Sequence, residues 1–587
     1  MILARNIILV NPKNDLIDSP WIPLGLLHLA GVARNFCDNI YIFDFNIPEK
    51  TFDDLEETII KTGSKLVIGI SALYYPNFAQ VEKIALFCRK ISPDCKIIIG
   101  GNTASMDTMQ ELQCVDAMTV GEYENYFVGL LKFLYGENDD LQDIGSCYIR
   151  FGKDVRSVSW VGLNTEVKFL PRQTYIEDLD DLPIPGYEYI NFEDYKKDLS
   201  LKYNPDNIQL SGISMPISTS RGCPINCTFC AVKNGVGSKF RMRSAKNVFD
   251  EIKYLYDCFG INRFMPIDDN FTLNKQRIID LCEMIIASDM KISICAYNGL
   301  FMKSLDKDLI HLLRKAGLTD VALAVESGDE YIRNHVIKKP IPQEHIFDVA
   351  KWCNDAGMLV RMYFIIGFPE ETEDSLKKTY QMLKDINIAF AGTTSLHPFP
   401  ATDIYQRCKK EGLFIVDNYD DLLRTPASAW AVNDESDFYV KPYNLSISKL
   451  FDEYKKIEQL SRGKLLLWTF AKRMETISNR SDYVIWGANV ANRFIEFCNA
   501  TSVPSPCFIL DNYLTSDSYG IPSYLFSEMP KEIDLSNYAI IITANTTDVY
   551  NEILNCIPTN LHHNVFWQPS RLLLWISNIH AALLAWN

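Results

Sequence analysis

Between residues 4 and 135 short β-branched runs (NIILV, IYIFDF, KLVIGIS, KIIIGG, AMTVGE) alternate with stretches of helical period such as PLGLLHLAGVARNF and AQVEKIALFCRKI. Alternation of this kind predicts a parallel sheet with helices on both faces. It therefore points to an α/β protein whose residues 1–140 form a flavodoxin-like domain. The alternation resumes from Ile213 to about Gly412, where it predicts a partial (β/α) barrel over 206–412, and again at 479–587 as a small Rossmann-like domain with a terminal helix. A chain of 587 residues is too long for a single core, so several domains are expected. Pro183, Pro185 and an acidic run mark residues 141–205 as a linker. Residues 413–478 have helical period and read equally as a substrate lid or a packing helix.

The strongest chemical signal is SRGCPINCTFC at 220–230, which spaces Cys223, Cys227 and Cys230 as C-x-x-x-C-x-x-C right after the barrel's first predicted strand, ISMPISTS. Barrel enzymes keep their chemistry at the carboxyl ends of their strands. Three thiolates on one short loop can ligate three corners of an iron–sulfur cube. With no fourth ligand nearby, one iron keeps an open coordination position, as metals that meet substrate do. A zinc site would need a fourth His or Cys, and no histidine lies between positions 29 and 310. Later strands also end in polar or glycine residues: RFMPIDDNFT in Asp268 and Asp269, DVALAVESGD in Glu326 and Ser327. LVRMYFIIGFPEET carries Arg361, Gly367 and Pro369. Paired carboxylates at a strand end can accept hydrogen bonds from an ammonium group. In the first domain the strand ends carry Ser71, Leu73 and the pair Gly100–Gly101, where the backbone either admits a bulky ligand or merely shapes a turn.

The cysteine spacing resembles the signature of the radical S-adenosylmethionine (SAM) enzymes. The resemblance implies a 4Fe–4S cluster on Cys223, Cys227 and Cys230 whose open iron chelates SAM and whose electron cleaves it to a 5′-deoxyadenosyl radical. In that pattern Asp268 or Asp269 matches the place that holds the SAM amino group. VESG and IIGFPEET resemble the family's fourth and fifth strand motifs, which implies that Glu326 accepts from ribose hydroxyls, that Arg361 pairs with the methionyl carboxylate, and that Ser327, Gly367 and Pro369 line the pocket. Ser71 and Leu73 as S-x-L, Gly100–Gly101, VGEYE at 120–124 and PLGLLHLAGVAR resemble the cobalamin-binding domain that precedes many such enzymes. The histidine-bearing D-x-H-x-x-G motif of other cobalamin proteins is absent, and His28 falls inside a predicted helix. Cobalamin is then expected without a protein histidine on cobalt.

The resemblance implies carbon functionalisation of a small-molecule or peptide substrate, with C-methylation as the main expectation and radical rearrangement or cyclisation, or a non-catalytic iron–sulfur protein, as alternatives. It also implies a reducing partner such as flavodoxin or ferredoxin. A net charge of −16 argues against nucleic-acid or anionic-membrane binding. No uncharged apolar run reaches the roughly 20 residues that span a bilayer, so stable membrane insertion is not expected. The tail at 572–586 reads as a packed helix. The thiolates need reducing conditions and the first ten residues lack a signal peptide, which predicts a cytoplasmic protein. In the last domain Gly487 and Asp511 stand without a full G-x-G-x-x-G motif.

Overall fold

The computed structural model describes residues 4–14, 20–63, 65–72, 78–101, 112–138, 140–151, 166–170, 175–199, 202–400, 402–416 and 432–477, with the short strands 483–486, 508–511, 523–525, 539–542 and 565–566. The first sheet runs β2 (Asn39–Asp44), β1 (Asn6–Asn11), β3 (Leu66–Ser71), β4 (Lys96–Gly100) and β5 (Ala117–Thr119), all parallel. Ile7, Ile8, Leu9 and Val10 of β1 are all fully buried, as a sheet covered on both faces requires. The order reverses between β1 and β3, which opens a crevice at the carboxyl ends of these strands.

The expected linker is partly sheet. β6 (Cys147–Phe151) and β7 (Glu166–Leu170) extend the first sheet antiparallel beyond β5. Arg150 and Lys168 break the apolar pattern of these strands, yet Arg150 is buried and donates to the Val115 and Leu112 carbonyls at 3.1 and 3.2 Å. Further on, Tyr187 enters the barrel's apolar core and Tyr195 donates to Asp44 at 3.1 Å. This stretch fastens the two domains together.

Six parallel strands make the central sheet, in the order β8 (Met215–Ile217), β11 (Arg263–Pro266), β12 (Ser293–Ala296), β13 (Leu318–Glu326), β14 (Leu359–Ile366) and β15 (Phe390–Ser395). β8 and β15 remain its edges, so the barrel is open. Val321, Leu323 and Val325 of β13 and Val360, Met362 and Phe364 of β14 share one apolar core with the surrounding helices. The alternate residues, Asp320, Ala322, Ala324 and Glu326 with Arg361, Tyr363 and Ile365, therefore face the lumen.

Of the two readings for 413–478, packing holds for the described part. The Ile447–Ile477 helix lies along β15, where Ser461 hydrogen-bonds the Ala391 amide at 3.2 Å and its carbonyl, and Lys464 donates to Ile386 at 2.8 Å. The free edge of β15 is thus covered at Ala391. A third sheet, all parallel, has the order β18 (Ser523–Leu525), β17 (Phe508–Asp511), β16 (Tyr483–Trp486), β19 (Ala539–Ile542), β20 (Val565–Phe566), a Rossmann-like arrangement. Asp511 ends β17, whereas Gly487 and the tail at 572–586 lie outside the described residues. Among the described residues no helix is long and apolar enough to cross a membrane.

Candidate active site

Gly222 opens the cysteine loop with φ 82°, and a Cβ there would lie 2.3 Å from the Lys239 carbonyl oxygen. Only glycine fits that approach. Behind it Asp268 accepts from the Thr219 amide at 2.7 Å, from Ser220 Oγ at 2.6 Å and from the Thr219 hydroxyl, with Arg277 4.0 Å away. Both of its oxygens are used. Asp268, expected as a candidate ammonium acceptor, instead ties the segment entering the cysteine loop to β11.

Cys223, Cys227 and Cys230 are free thiols, with Cys227 buried and the others half-buried. Burial pushes the Cys227 thiol up to about 12, against the opposing charge of Lys339, and the three sulfurs act on one another electrostatically. Among the described residues no three His, Cys, Asp or Glu side chains converge on one metal ion. A tetrahedral zinc would draw its thiolates to within about 4 Å of each other, whereas a cluster spreads its ligands over separate irons. Asn270 Nδ2 donates to Cys223 Sγ at 2.8 Å, a hydrogen bond suited to a ligating thiolate. The three cysteines and this donor fit a cluster with one open corner.

Two acidic side chains face this loop. Asp269, next to Asp268, makes no hydrogen bond or ion pair among the described residues, and burial together with the Asp268 charge pushes it up to about 6. It is the free carboxylate of the pair. Glu326 ends β13 with φ 68°, a strained conformation for a non-glycine residue. Its carboxylate accepts from Lys339 Nζ at 2.8 Å. Burial alone would lower the Lys339 ammonium, but Glu326 and Cys227 raise it. Beside them a cavity of about 280 Å³ is lined by Asn226, Asn270, Phe301, Met302 and Lys339. Lys339 follows Lys338 in a sequence that reads as an exposed basic pair, so only the fold reveals its place.

The other expected SAM contacts separate. Ser327 Oγ accepts from the Asp329 amide at 3.2 Å and shapes a turn. Gly367 takes φ 100° at the end of β14, where its amide and that of Phe368 donate to the buried Glu371, whose carboxyl burial pushes up to about 8. The Pro369 carbonyl accepts from the Tyr443 amide at 2.8 Å. Arg361 stands lower in the barrel than Glu326. It pairs in register with Ala322, four residues below Glu326 and so roughly 13 Å down the strand. Its guanidinium stacks over Tyr297 at 4.9 Å and faces Asp320 at 3.5 Å, at the amino end of the barrel.

On the first domain Ser71 ends β3 beside Gly100 at the end of β4. A Cβ on Gly100 would meet Thr119 Oγ1 at 2.5 Å, so a neighbouring strand, and not only a ligand, requires this glycine. Gly101 has φ 149°, which also favours glycine, and Leu73 lies outside the described residues. Ser71 and Gly101 place small residues at the carboxyl ends of β3 and β4, which fits a large planar cofactor lying close to the backbone there. His28 sits in the Leu24–Ala33 helix as expected. Its buried Nε2 has no hydrogen-bond partner among the described residues, and burial and the Arg221 charge hold it at about 4. It lines a cavity of about 170 Å³ with Arg221, Arg243 and Glu251, against the barrel's first helix.

The VGEYE loop does something its sequence does not announce. Glu122 takes a two-pronged contact from Arg241 at 2.6 Å on each oxygen, and Glu124 accepts from Arg221 at 2.5 Å. Arg221 and Arg241 face each other across the short antiparallel pair β9 (Ser220–Arg221) and β10 (Arg241–Met242), directly before the cysteine loop. The Glu122 and Arg241 side chains are 3% and 2% exposed, so neither charge has water to fall back on. Burial would raise the Glu124 carboxyl, but Arg221 outweighs it and holds it at about 2. The first domain thus grips the base of the cysteine loop.

Comparison with known proteins agrees with this geometry. The radical SAM superfamily profile matches residues 217–383 and the B12 binding domain profile residues 15–131. An uncharacterized methyltransferase of Pyrococcus horikoshii is 28% identical over 400 residues, covering 68% of this chain and 80% of that protein. The cytidylyl-2-hydroxyethylphosphonate methyltransferase of Streptomyces wedmorensis is 24% identical over 477 residues, 73% of this chain and 86% of that protein. Among solved structures, the radical SAM methyltransferase TsrM of Kitasatospora setae, with cobalamin and a [4Fe-4S] cluster bound, superposes with a TM-score of 0.59 at 14% identity, over 78% of this chain and 88% of that one. The two domains imply a 4Fe–4S cluster, SAM and cobalamin as cofactors. The chain thus joins a radical SAM domain, with its cysteine loop at the carboxyl end of the barrel, to a B12 binding domain locked to the base of that loop.

Proposed function

We propose that the protein methylates an unactivated carbon of a small organic or peptide substrate, using SAM and cobalamin. The observation that carries this reading is the buried Glu122–Arg241 and Glu124–Arg221 contact, which joins the B12 binding domain to the strand leading into Cys223. A domain that merely accompanied the barrel would not need it. When bound, the cluster supplies an electron to SAM and cobalamin supplies a methyl carrier. Cys223, Cys227 and Cys230 would hold the cluster, and Asn270 would stabilise the Cys223 thiolate. Asp269 accepts hydrogen bonds from the SAM ammonium, while Lys339 orients Glu326 for the ribose hydroxyls. Ser71, Gly100 and Gly101 would border the cobalamin. A flavodoxin- or ferredoxin-type reductant and a reducing, cytoplasmic setting complete the requirements.

Methyl transfer from SAM leaves S-adenosylhomocysteine, whereas reductive cleavage leaves 5′-deoxyadenosine. The reconstituted protein, incubated with SAM, cobalamin and a reductant, is expected to form both. Cleavage without any S-adenosylhomocysteine would move the reaction from methylation to rearrangement or cyclisation. Asp269→Asn is expected to keep cluster absorbance and weaken SAM binding by about 1–3 kcal/mol, the scale of one hydrogen bond to a charged partner. Equilibrium dialysis with labelled SAM checks it, and unchanged affinity would remove Asp269 from the site.

A further inference from the structure

Closed (β/α) barrels fill their lumen with bulky branched side chains. This one does not. Its lumen-facing positions at mid-height are Ala322 and Ala324 on β13 and Gly392 on β15. A Cβ on Gly392 would lie 2.9 Å from the Tyr363 ring, so glycine is what lets Tyr363 lie back against β15. Arg361, Tyr363, Ile365, Ala324, Gly392 and Thr394 all stay partly exposed, so small residues leave space beside the Arg361 and Tyr363 side chains, while Ala322 and Asp320 are fully buried.

The amino end of this lumen is charged. Arg263 is fully buried, donates to Ser293 Oγ at 3.1 Å and Tyr297 Oη at 3.0 Å, and stands 3.6 Å from Asp320. Arg361 stands 3.5 Å from the other oxygen of Asp320. Two guanidinium groups thus share one carboxylate, and buried charge of one sign is costly unless it is matched. Among the described residues the Nε of each arginine is buried without a hydrogen-bond partner, while the Arg361 side chain keeps 27% of its surface open. At the opposite end Glu326 is matched by Lys339 at 2.8 Å. The floor, where two guanidinium groups share one carboxylate, is therefore the end of the lumen with cationic charge in excess.

We propose that this floor is the recognition site for an acidic group of the organic substrate, a carboxylate or a phosphonate-type oxyanion bound by Arg361. Tyr297 lies under the Arg361 guanidinium, and Arg263 donates to Tyr297 Oη from behind. Roughly 13 Å of strand separates the Arg361 level from the Glu326 level, so the substrate is an elongated acid whose reacting carbon lies far from its charge. This inference rests on the barrel being the reaction chamber proposed above.

The test uses the full-length reconstituted protein and three probes: 4-phenylbutyrate, phenylphosphonate and neutral 4-phenylbutyramide, titrated by calorimetry and by ligand-observed NMR. At least one acid is expected to bind saturably and the amide not to. Preference for one acid identifies that acid class. Arg361→Gln is expected to weaken acid binding about tenfold or more, and Arg361→Lys less, since a point charge replaces the fork. Ala324→Leu, which narrows the lumen without touching a charge, should weaken it too and stands in if Arg361→Gln does not fold. No saturable acid binding by the wild type, equal binding of acid and amide, or Arg361→Gln and Ala324→Leu variants that both bind as the wild type does would overturn the proposal. Because the readout is binding, such a result leaves SAM cleavage untouched. Loss of SAM cleavage with acid binding intact would strike only the proposed reaction.

Discussion

Cys227→Ala is expected to yield a folded protein that takes up no stable 4Fe–4S cluster and forms no 5′-deoxyadenosine. The loop presents three thiols, all free, and each would own one iron. With the fourth iron open by design, losing one more ligand leaves a cube held at two corners. Cys408, which shares an apolar cluster with Cys227, offers no ready substitute, because it is buried on the Asp403–Glu411 helix and not on the loop. Cys227 also packs with Ile337 and Phe368, so alanine removes little apolar bulk and the fold should persist. Iron content, visible absorbance and circular dichroism measured together separate cluster loss from unfolding. A variant that keeps wild-type iron would remove Cys227 from the ligand set.

Arg241→Met is expected to destabilise the chain by about 3–5 kcal/mol, because it leaves the Glu122 carboxylate buried without its cation. Among the described residues Glu122 then retains the Ile176 amide at 3.1 Å and the more distant Arg221 at 3.7 Å. The Glu122→Gln, Arg241→Met double variant should recover part of that loss, since neither charge is then stranded. Denaturant unfolding of the cluster-free protein gives the cycle, and strictly additive effects would show that the pair does not interact. The double variant should also lower S-adenosylhomocysteine formation more than 5′-deoxyadenosine formation. Its damage falls on the relation between the domains, while the cysteine loop keeps its own Asp268 anchor.

Periodicity made most of the fold legible, because parallel strands buried on both faces read as unbroken β-branched runs. β6 and β7 escaped because Arg150 and Lys168 interrupt those runs, and burial of Arg150 depends on carbonyls that the sequence cannot place. At the site the cysteines were legible from spacing alone. The roles of Asp268 and Asp269 were not, since adjacent residues at a strand end point opposite ways and the sequence offers both. Arg361 was misplaced by height: β14 starts at Leu359, so an arginine two residues in belongs to the barrel floor. Glu122 and Lys339 depend on partners 119 and 13 residues away, contacts that local pattern does not carry.

The measurement closest to the central claim is anaerobic incubation of the reconstituted protein with SAM and a strong reductant, followed by chromatographic quantification of 5′-deoxyadenosine and S-adenosylhomocysteine. Wild type should form both. The Cys223→Ala, Cys227→Ala, Cys230→Ala triple variant should form no 5′-deoxyadenosine, and the same amount from the triple variant as from wild type would contradict the assignment of these cysteines as the centre of the chemistry.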